Sequence, residues 1–293
     1  MKKRSNGDRV FDSLLYVFFT VMMLIMFLPV WHVFMASMSN SEQLLRHSGL
    51  ALYPLGFSLS AYKMVAANPN IVSGYATTLI VLVCGTTLAL ILTTMAAYVL
   101  SRKGVGLNKF FTGMIMVTMF FSGGMIPTYL VINNMLHMGN NILSLIIPGS
   151  ISVWNLLVMR TTFAQIPEAL IESAKIEGAN DITILVKIVV PTSMAIIAVM
   201  ILFYGVTYWN SWFNALLYIR DRSKYPLQLI LREILINSSV RDMSGATAAN
   251  DINAVAESIK YATIVVATIP ILCAYPFLQK YFVKGVMIGS VKG

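Results

Sequence analysis

Long apolar runs separated by polar connections are the main pattern along this chain. Each run has about 18 residues or more with almost no charge, which is the length that an α-helix needs to cross the hydrocarbon layer of a membrane. The runs are 11–37, 74–100, 110–132, 142–159, 193–217 and 259–281. The pattern therefore predicts an all-α, polytopic membrane protein with about six transmembrane helices.

Glycine and proline positions predict where some of these helices bend. Pro29 can kink the first run, and Pro270 and Pro276 predict that the sixth run is kinked or broken near its end. Segment 123–128, which contains two glycines and a proline, interrupts the third run. It either allows close helix approach, acts as a gate hinge, or simply ends the helix.

The distribution of lysine and arginine predicts the orientation of the chain. If the amino terminus is cytoplasmic, most of the 21 basic residues fall on the cytoplasmic side, as the positive-inside rule requires. We expect both termini in the cytoplasm, a cytoplasmic coupling loop at 160–192 and an external loop at 218–258, all within one transmembrane domain spanning 1–293. A polar segment of the external loop, 237–253, has the composition of a mobile stretch that could contact an external partner.

The stretch 167–191, between the fourth and fifth runs, has the sequence of a helical hairpin. Pro167 can open a helix, because its missing amide would have no partner in the first turn, and Glu168 then lies at the positive end of the helix dipole. Gly178 suits the left-handed position just beyond a helix end. These residues predict a helix, a glycine turn and a second helix, with a mildly acidic tip at 172–174 that fits a cleft on another protein.

The spacing within this hairpin resembles a known motif. Glu172-Ser173-Ala174, three further residues, Gly178, nine further residues and Ile188-Val189-Val190-Pro191 are similar to the EAA loop of ABC importer permeases. Ser173 stands where that motif usually has alanine, and Glu177 stands where it usually has aspartate. An ordinary surface hairpin between two membrane helices would explain the polarity but not the spacing.

In that family the loop is a cytoplasmic coupling helix that docks on the ATP-hydrolysing subunit. The resemblance therefore implies ATPase-coupling roles for Glu172, Ser173, Ala174, Glu177, Gly178, Ala179 and Asp181.

Three other stretches resemble the maltose-type carbohydrate-uptake branch of the family. Segment 53–62 resembles its first external loop, Trp209-Asn210 resembles its fifth helix, and 281–293 resembles a tail that in some relatives enters the cleft between the ATPase subunits. The tail implies contacts with the ATPase through Met287, Ile288, Gly289 and Ser290, although a frayed, basic juxtamembrane end would look the same. The tail and the overall size look most like permeases for acidic oligosaccharides, such as alginate- or pectin-derived chains.

Aromatic and amide side chains in the fourth and fifth runs are candidates for a sugar path. Sugars present apolar ring faces and polar rims, which match aromatic faces together with amide and hydroxyl groups. The candidates are Trp154, Asn155, Tyr208, Trp209, Asn210, Trp212 and Asn214. An interfacial aromatic belt would explain the aromatic residues equally well, and a buried asparagine is more often a packing hydrogen bond.

Composition removes several other classes of protein. With 57% hydrophobic and 11% charged residues, the chain is too apolar for a soluble globule. Its net charge of +9 comes from basic residues beside apolar runs, which indicates membrane anchoring rather than nucleic-acid binding. Cys84 and Cys273 lie in apolar runs and suggest neither a disulfide nor a metal site. His32, His47 and His137 show no ligand spacing, and the sequence has no nucleotide-binding or catalytic motif.

The resemblance implies a non-catalytic permease subunit of an ATP-driven importer in the bacterial cytoplasmic (inner) membrane. It implies a second, homologous permease in a heterodimer, two ATP-binding subunits that use ATP and Mg, an external solute-binding protein and surrounding lipid. No cofactor or metal is expected on this chain, and no nucleic acid. The main alternative is a self-contained secondary carrier or channel. No ionisable residue lies deep inside a predicted helix, which counts against a proton- or sodium-coupled carrier.

Overall fold

A computed structural model describes residues 6–243 and 250–290 of the 293-residue chain. Within those ranges every regular element is helical, and one isolated antiparallel bridge joins Ser39 and Phe57. The all-α prediction is confirmed. The described residues fall into two compact units, one within 1–69 and 231–269, the other within 70–230 and 270–293.

The first unit contains the long amino-terminal helix and the segment that follows it. Its helices are α1 (Asn6–Ser37), α2 (Ser41–Arg46) and α3 (Ser60–Ala67), with parts of α14 (Leu227–Met243) and α15 (Asn250–Ser290). Trp31 Nε1 donates to the Leu52 carbonyl at 2.9 Å, and the Ala51 amide donates to His32 Nδ1 at 2.9 Å. His32 therefore helps to fix the loop that follows α1.

The second unit begins with α4 and holds the regions where function is expected. Its helices are α4 (Pro69–Ser101), α5 (Asn108–Phe120), α6 (Met125–Leu130) with a π-helical turn (Val131–Met135), α7 (Leu143–Ile146), α8 (Val153–Phe163), α9 (Glu168–Ile176), α10 (Asp181–Ile184) with a π-helical turn (Leu185–Val189), α11 (Val190–Thr192), α12 (Met194–Trp209), α13 (Trp212–Tyr218) and a 3-10 turn (Arg222–Lys224). Its core is built from buried side chains of α4, α8 and α12, such as Val81, Leu156, Met159 and Tyr204.

Three helical segments are long and apolar enough to cross a membrane alone: Arg9–Ser37, Pro69–Ser101 and Glu257–Pro276. Two bent pairs can be added if each is one span: Asn108–Phe120 with Met125–Met135, bent by 110°, and Asp181–Thr192 with Met194–Trp209, bent by 87°. The described residues thus supply up to five spans, where the apolar pattern predicts about six.

The fourth apolar run does not form the single helix predicted for 142–159. It forms α7 and α8, and residues 147–152 between them, which include Pro148 and Gly149, are not helical. Proline lacks an amide donor and disfavours the helical conformation in the residue before it, and glycine lowers helix stability. The helix therefore stops and starts again.

Other breaks agree only in part with the prediction. The interruption predicted at 123–128 is confirmed by the bend between α5 and α6. The predicted run 193–217 is interrupted at 210–211, between α12 and α13. In contrast, α15 continues through Pro270 and Pro276, so the sixth run is not broken there, and the alternative prediction of a kink stays a prediction. Prolines are tolerated in membrane helices because neighbouring groups can satisfy the freed backbone.

The segment 218–258 is not simply a loop. α14 occupies much of it, and α15 begins at Asn250, so parts of the polar stretch 237–253 are helical. Residues 244–249 lie outside the described part of the chain. The mixed composition of this segment has no clear apolar run, which is why the sequence did not indicate α14.

Asn140 joins the connection before α7 to the connection after α13. Its Oδ1 accepts hydrogen bonds from the amides of Arg220 at 3.1 Å and Asp221 at 2.9 Å, and Lys224 Nζ donates to its carbonyl at 3.2 Å. Hydrogen bonds from the hydroxyl and the amide of Ser223 lower the pKa of Asp221. The Asp221 carboxylate therefore stabilises its own 3-10 turn, and the bonds to Asn140 connect that turn to the segment before α7.

Candidate functional site

The stretch 167–191 folds as the predicted helical hairpin. Its first arm, α9, ends in a turn where Gly178 has a φ of +83°. The Gly178 amide donates to the Lys175 carbonyl at 3.0 Å, and the Ala179 amide donates to the Ala174 carbonyl at 2.9 Å. This pair of bonds is the Schellman motif, which satisfies carbonyls at the helix end and needs a left-handed residue at the turn.

The second arm of the hairpin is α10, its π-helical turn and α11. Asn180 caps its start, since its Oδ1 accepts a hydrogen bond from the Thr183 amide at 2.8 Å. Asp181 lies in the first turn, where the helix dipole favours an anion. This arm meets α12 at a bend of 87°. The hairpin is therefore continuous with a membrane-length segment.

The hairpin is attached to the carboxyl end of α4 and to the loop that follows it. Tyr98 donates its hydroxyl to Asp181 Oδ1 at 3.2 Å, and Lys103 Nζ donates to Glu168 Oε2 at 2.9 Å. Ile171 on α9 is buried in the core of the second unit. The Lys103–Glu168 pair is exposed to water and the Tyr98–Asp181 bond is partly buried, so these polar contacts contribute little compared with the buried apolar face.

Removing the Tyr98 hydroxyl should have only a small effect. We expect Tyr98→Phe to lower the ATP-driven uptake rate of the assembled transporter by no more than about fivefold, because a partly exposed hydrogen bond is worth about 1 kcal/mol or less. Tyr16→Phe is the matched control, since Tyr16 is highly exposed on α1. Initial uptake rates at equal protein in the membrane measure the effect. A loss above about 100-fold would contradict this view of the contact.

The predicted coupling residues differ in how far their side chains are exposed to solvent. Most are exposed, namely Glu172, Ser173, Glu177, Gly178 and Asp181, whereas Ala179 is half-buried and Ala174 is buried. Their role in coupling stays a prediction.

Two isoleucines that the sequence analysis did not single out lie on the same hairpin. Ile176 is 87% exposed at the end of α9, and Ile182 is 72% exposed at the start of the second arm. Both are apolar residues within a largely polar stretch, and this contrast in the sequence could have pointed to them. An exposed surface that combines carboxylates with apolar side chains is suited to contact another protein.

Two tyrosines of α12 hold the interruption between α7 and α8. Tyr208 donates its hydroxyl to the Ile146 carbonyl at 2.9 Å, at the end of α7. The Ser152 amide, just before α8, donates to the Tyr204 hydroxyl at 3.1 Å. That hydroxyl also lies 2.6 Å from Thr93 Oγ1 on α4. Non-helical backbone at membrane depth has to be satisfied in this way or by water.

A cavity of 610 Å³ lies beside this interruption. It is bounded by the start of α8 and by one side of α12, with Ser152, Trp154, Asn155, Phe203, Tyr204 and Thr207 among its lining residues. None of its lining side chains carries a charge. Hydroxyl, amide and aromatic groups together make a surface that can contact a sugar.

The structure brings together only part of the predicted sugar path. Trp154 and Asn155 both line the cavity. The structure adds Tyr204 to them, which lies one helical turn before Tyr208 on α12. Spacing along α12 was the signal that could have found it.

The other predicted path residues lie away from this cavity lining. Tyr208 is buried in the core and hydrogen-bonded as described above. Trp209 is buried, and its Nε1 has no hydrogen-bond partner in the described part of the chain. Asn210 Nδ2 donates back to the Val206 carbonyl at 2.9 Å. On α13, Trp212 and Asn214 are half-buried. Substrate contact by these five residues stays a prediction.

The remaining predicted sites concern the tail and metals. Met287, Ile288, Gly289 and Ser290 are the last residues of α15, and their side-chain contacts lie outside the described part of the structure. Their contact with an ATPase stays a prediction. Among the described residues, no group of three or more histidine, cysteine, aspartate or glutamate side chains could hold a metal ion.

Similar proteins relate this architecture to a known family, although no protein-family model matches the chain. It is 41% identical, over 98% of its length and 99% of the relative, to the polygalacturonan/rhamnogalacturonan transport system permease protein YtcP of Bacillus subtilis (strain 168). It is 39% identical to Protein LplC of the same strain, over 99% of this chain and 97% of that protein.

A solved structure is similar over almost the whole fold. It is the crystal structure of a bacterial ABC transporter involved in the import of the acidic polysaccharide alginate. One of its chains matches with a TM-score of 0.87 and 29% identity, covering 96% of this chain and 100% of that chain. Full-length likeness in both sequence and structure shows that the chain is a multi-pass membrane protein and belongs to the carbohydrate-transport permease family of ABC transporters.

Proposed function

We propose that this permease carries oligosaccharides that contain uronic acids, as one subunit of an ATP-driven importer. The observation that carries the proposal is the near full-length likeness to YtcP and to the alginate transporter chain. Polygalacturonan and alginate are both polymers of uronic acids, so the two relatives share a substrate chemistry. An uncharged cavity with aromatic, amide and hydroxyl lining is compatible with such a sugar.

The proposed transporter contains several other subunits. This chain pairs with a second, homologous permease in a heterodimer, and together they enclose the sugar path. Two ATP-binding subunits use ATP and Mg, and an external solute-binding protein delivers the sugar. This chain itself binds no cofactor and catalyses no reaction. The complex lies in the bacterial cytoplasmic membrane, and both termini of this chain are cytoplasmic.

Within the single transmembrane domain 1–293, the proposed cytoplasmic coupling loop is 160–192 and the proposed external segment is 218–258. ATP binding closes the ATPase subunits and moves the hairpin, and the path then opens to the outside. The geometry of the hairpin supports this role. Its turn is fixed by the Schellman bonds, and its buried face packs in the same core as α4 and α12. A force on its exposed face would therefore reach the helices beside the cavity.

Co-purification and uptake test this function together. We expect affinity-purified chain to bring down a second permease and an ATPase subunit, identified by mass spectrometry. In a strain that lacks its own permease of this type, we expect the complete transporter to take up trigalacturonate in an ATP-dependent manner. Uptake of neutral oligosaccharides alone would contradict the proposed substrate. Solute flux by the purified chain without an ATPase would contradict the proposed mechanism and favour a self-contained carrier.

A further inference from the structure

The amino end of α8 lies at the wall of the 610 Å³ cavity. Ser152 is the cap of this 11-residue helix, and Ser152, Trp154 and Asn155 all line the cavity. The first amides of a helix have no partner within the helix, and the helix dipole places partial positive charge at this end. The amides of Val153 and Trp154 have no acceptor among the described residues.

Asn155 is a second, independent feature of the same wall. It is only 6% exposed, yet its side chain lines the cavity. Its backbone amide is engaged with Ser152 Oγ at 3.4 Å, but its side-chain amide makes no hydrogen bond within the described part of the chain. Its amide atoms are not among the fully buried side-chain atoms that lack a partner in the described part of the chain, so they open onto the cavity, where a ligand or water can bind them.

From these two features we propose that the amino end of α8 and the side-chain amide of Asn155 form a subsite for the carboxylate of a uronic acid. The inference rests on the proposed function and deepens it, because it assigns the charged group of the sugar to particular atoms. The first backbone amides of α8 and the side-chain NH₂ of Asn155 are hydrogen-bond donors, and an ionised carboxylate is an acceptor only. Trp154, 59% exposed, presents an aromatic surface beside them for the sugar ring.

The uncharged lining decides how strongly such a carboxylate is held. No acidic side chain lines the cavity to repel it, and no basic side chain lines the cavity to form an ion pair. Helix amides and one side-chain amide supply a moderate attraction in a medium of low dielectric constant. A transported solute has to leave again, so a moderate attraction suits a transport path better than a full ion pair.

Conservative and disruptive substitutions of Asn155 test the subsite in the complete transporter. Asn155→Leu removes the amide at similar volume, and we expect it to lower the initial uptake rate of trigalacturonate about tenfold, as loss of a hydrogen bond to a charged group predicts. Asn155→Gln keeps the amide, and we expect its uptake to stay within about threefold of the original protein. Neutral α-1,4-galactotriose, which lacks the carboxylates, should be affected less than about twofold by Asn155→Leu.

The outcomes separate this inference from the proposed function. If the unsubstituted transporter shows no ATP-dependent uptake of trigalacturonate, the proposed function fails before any variant is compared. If that uptake is normal and Asn155→Leu is as fast, the subsite is wrong. Equal losses for the acidic and neutral sugars, at equal protein in the membrane, would also overturn it. Should galactotriose not be carried at all, equal losses in Asn155→Leu and Asn155→Gln would overturn it. Asn134→Leu, at an exposed position outside the cavity, is the matched control.

Discussion

Gly178→Pro is expected to abolish ATP-driven uptake while the chain still accumulates in the membrane. Gly178 has a φ of +83°, and proline fixes φ near −65°. Proline also removes the amide that donates to the Lys175 carbonyl. The cost at this turn is about 3 kcal/mol or more, and the two arms of the hairpin cannot keep their relative direction. Uptake and ATP hydrolysis by the complete transporter are the measurements, and we expect hydrolysis without transport.

Three further variants make this test specific. Gly178→Ala should give a partial loss, because alanine in a left-handed conformation costs about 1 kcal/mol. Gly104→Ala is the control, since Gly104 has no left-handed φ and no atom within 4 Å of an added Cβ. Glu172→Lys leaves the turn intact but reverses a charge on the exposed face, and it should also uncouple hydrolysis from uptake. Normal transport by Gly178→Pro and Glu172→Lys would refute the coupling role of the hairpin.

The features that the sequence predicted well depend on local chemistry. The first and second apolar runs correspond to α1 and α4, whose bounds differ from the prediction by a few residues. The turn at Gly178 was predictable because a glycine after a polar helix is the usual way to end it. In both cases residues close together in the sequence determine the structure.

The features that the sequence did not predict depend on distant contacts. Pro148 and Gly149 are a local signal for the break in the fourth run, but hydropathy hides it because the flanking residues remain apolar. The interruption is held by Tyr204 and Tyr208, which lie more than 50 residues further along the chain. Such pairing belongs to the three-dimensional packing and is not visible in a single sequence.

In the candidate sugar path too, some residues could be proposed from the sequence and others only from the three-dimensional structure. Trp154 and Asn155 could be proposed from residue type, since aromatic and amide groups suit sugars. Tyr204 could have been added from its spacing to Tyr208, but only the structure shows its position beside the cavity and its bonds to Thr93 and Ser152. Conversely, residue type suggested Tyr208, whose side chain is buried between helices. Residue type therefore suggested candidates, but Tyr204 and Tyr208 are both buried, and only the three-dimensional position of each side chain shows which of them lines the cavity.

The close approach of α4 and α12 leads to the second large expected effect. A Cβ added at Gly85 would lie 2.7 Å from Cζ of Tyr208. The tyrosine ring cannot move away easily, because it is buried and its hydroxyl is bonded to the Ile146 carbonyl. We therefore expect Gly85→Ala to destabilise the protein by about 1–3 kcal/mol, as overpacking of a core does. Thermal unfolding of the purified protein in detergent measures this, and the melting temperature should fall by several degrees.

A double substitution and a matched glycine identify the cause of that loss. Tyr208→Phe removes the hydroxyl anchor and lets the ring shift, so the double variant with Gly85→Ala should lose less stability than the two single losses combined. Gly113→Ala, on α5, meets no atom within 4 Å and should be neutral or stabilising by up to about 1 kcal/mol. If Gly85→Ala and Gly113→Ala behave alike, α4 and α12 do not pack as closely as described. Additive losses in the double variant would instead show that Tyr208 is not the residue that alanine meets.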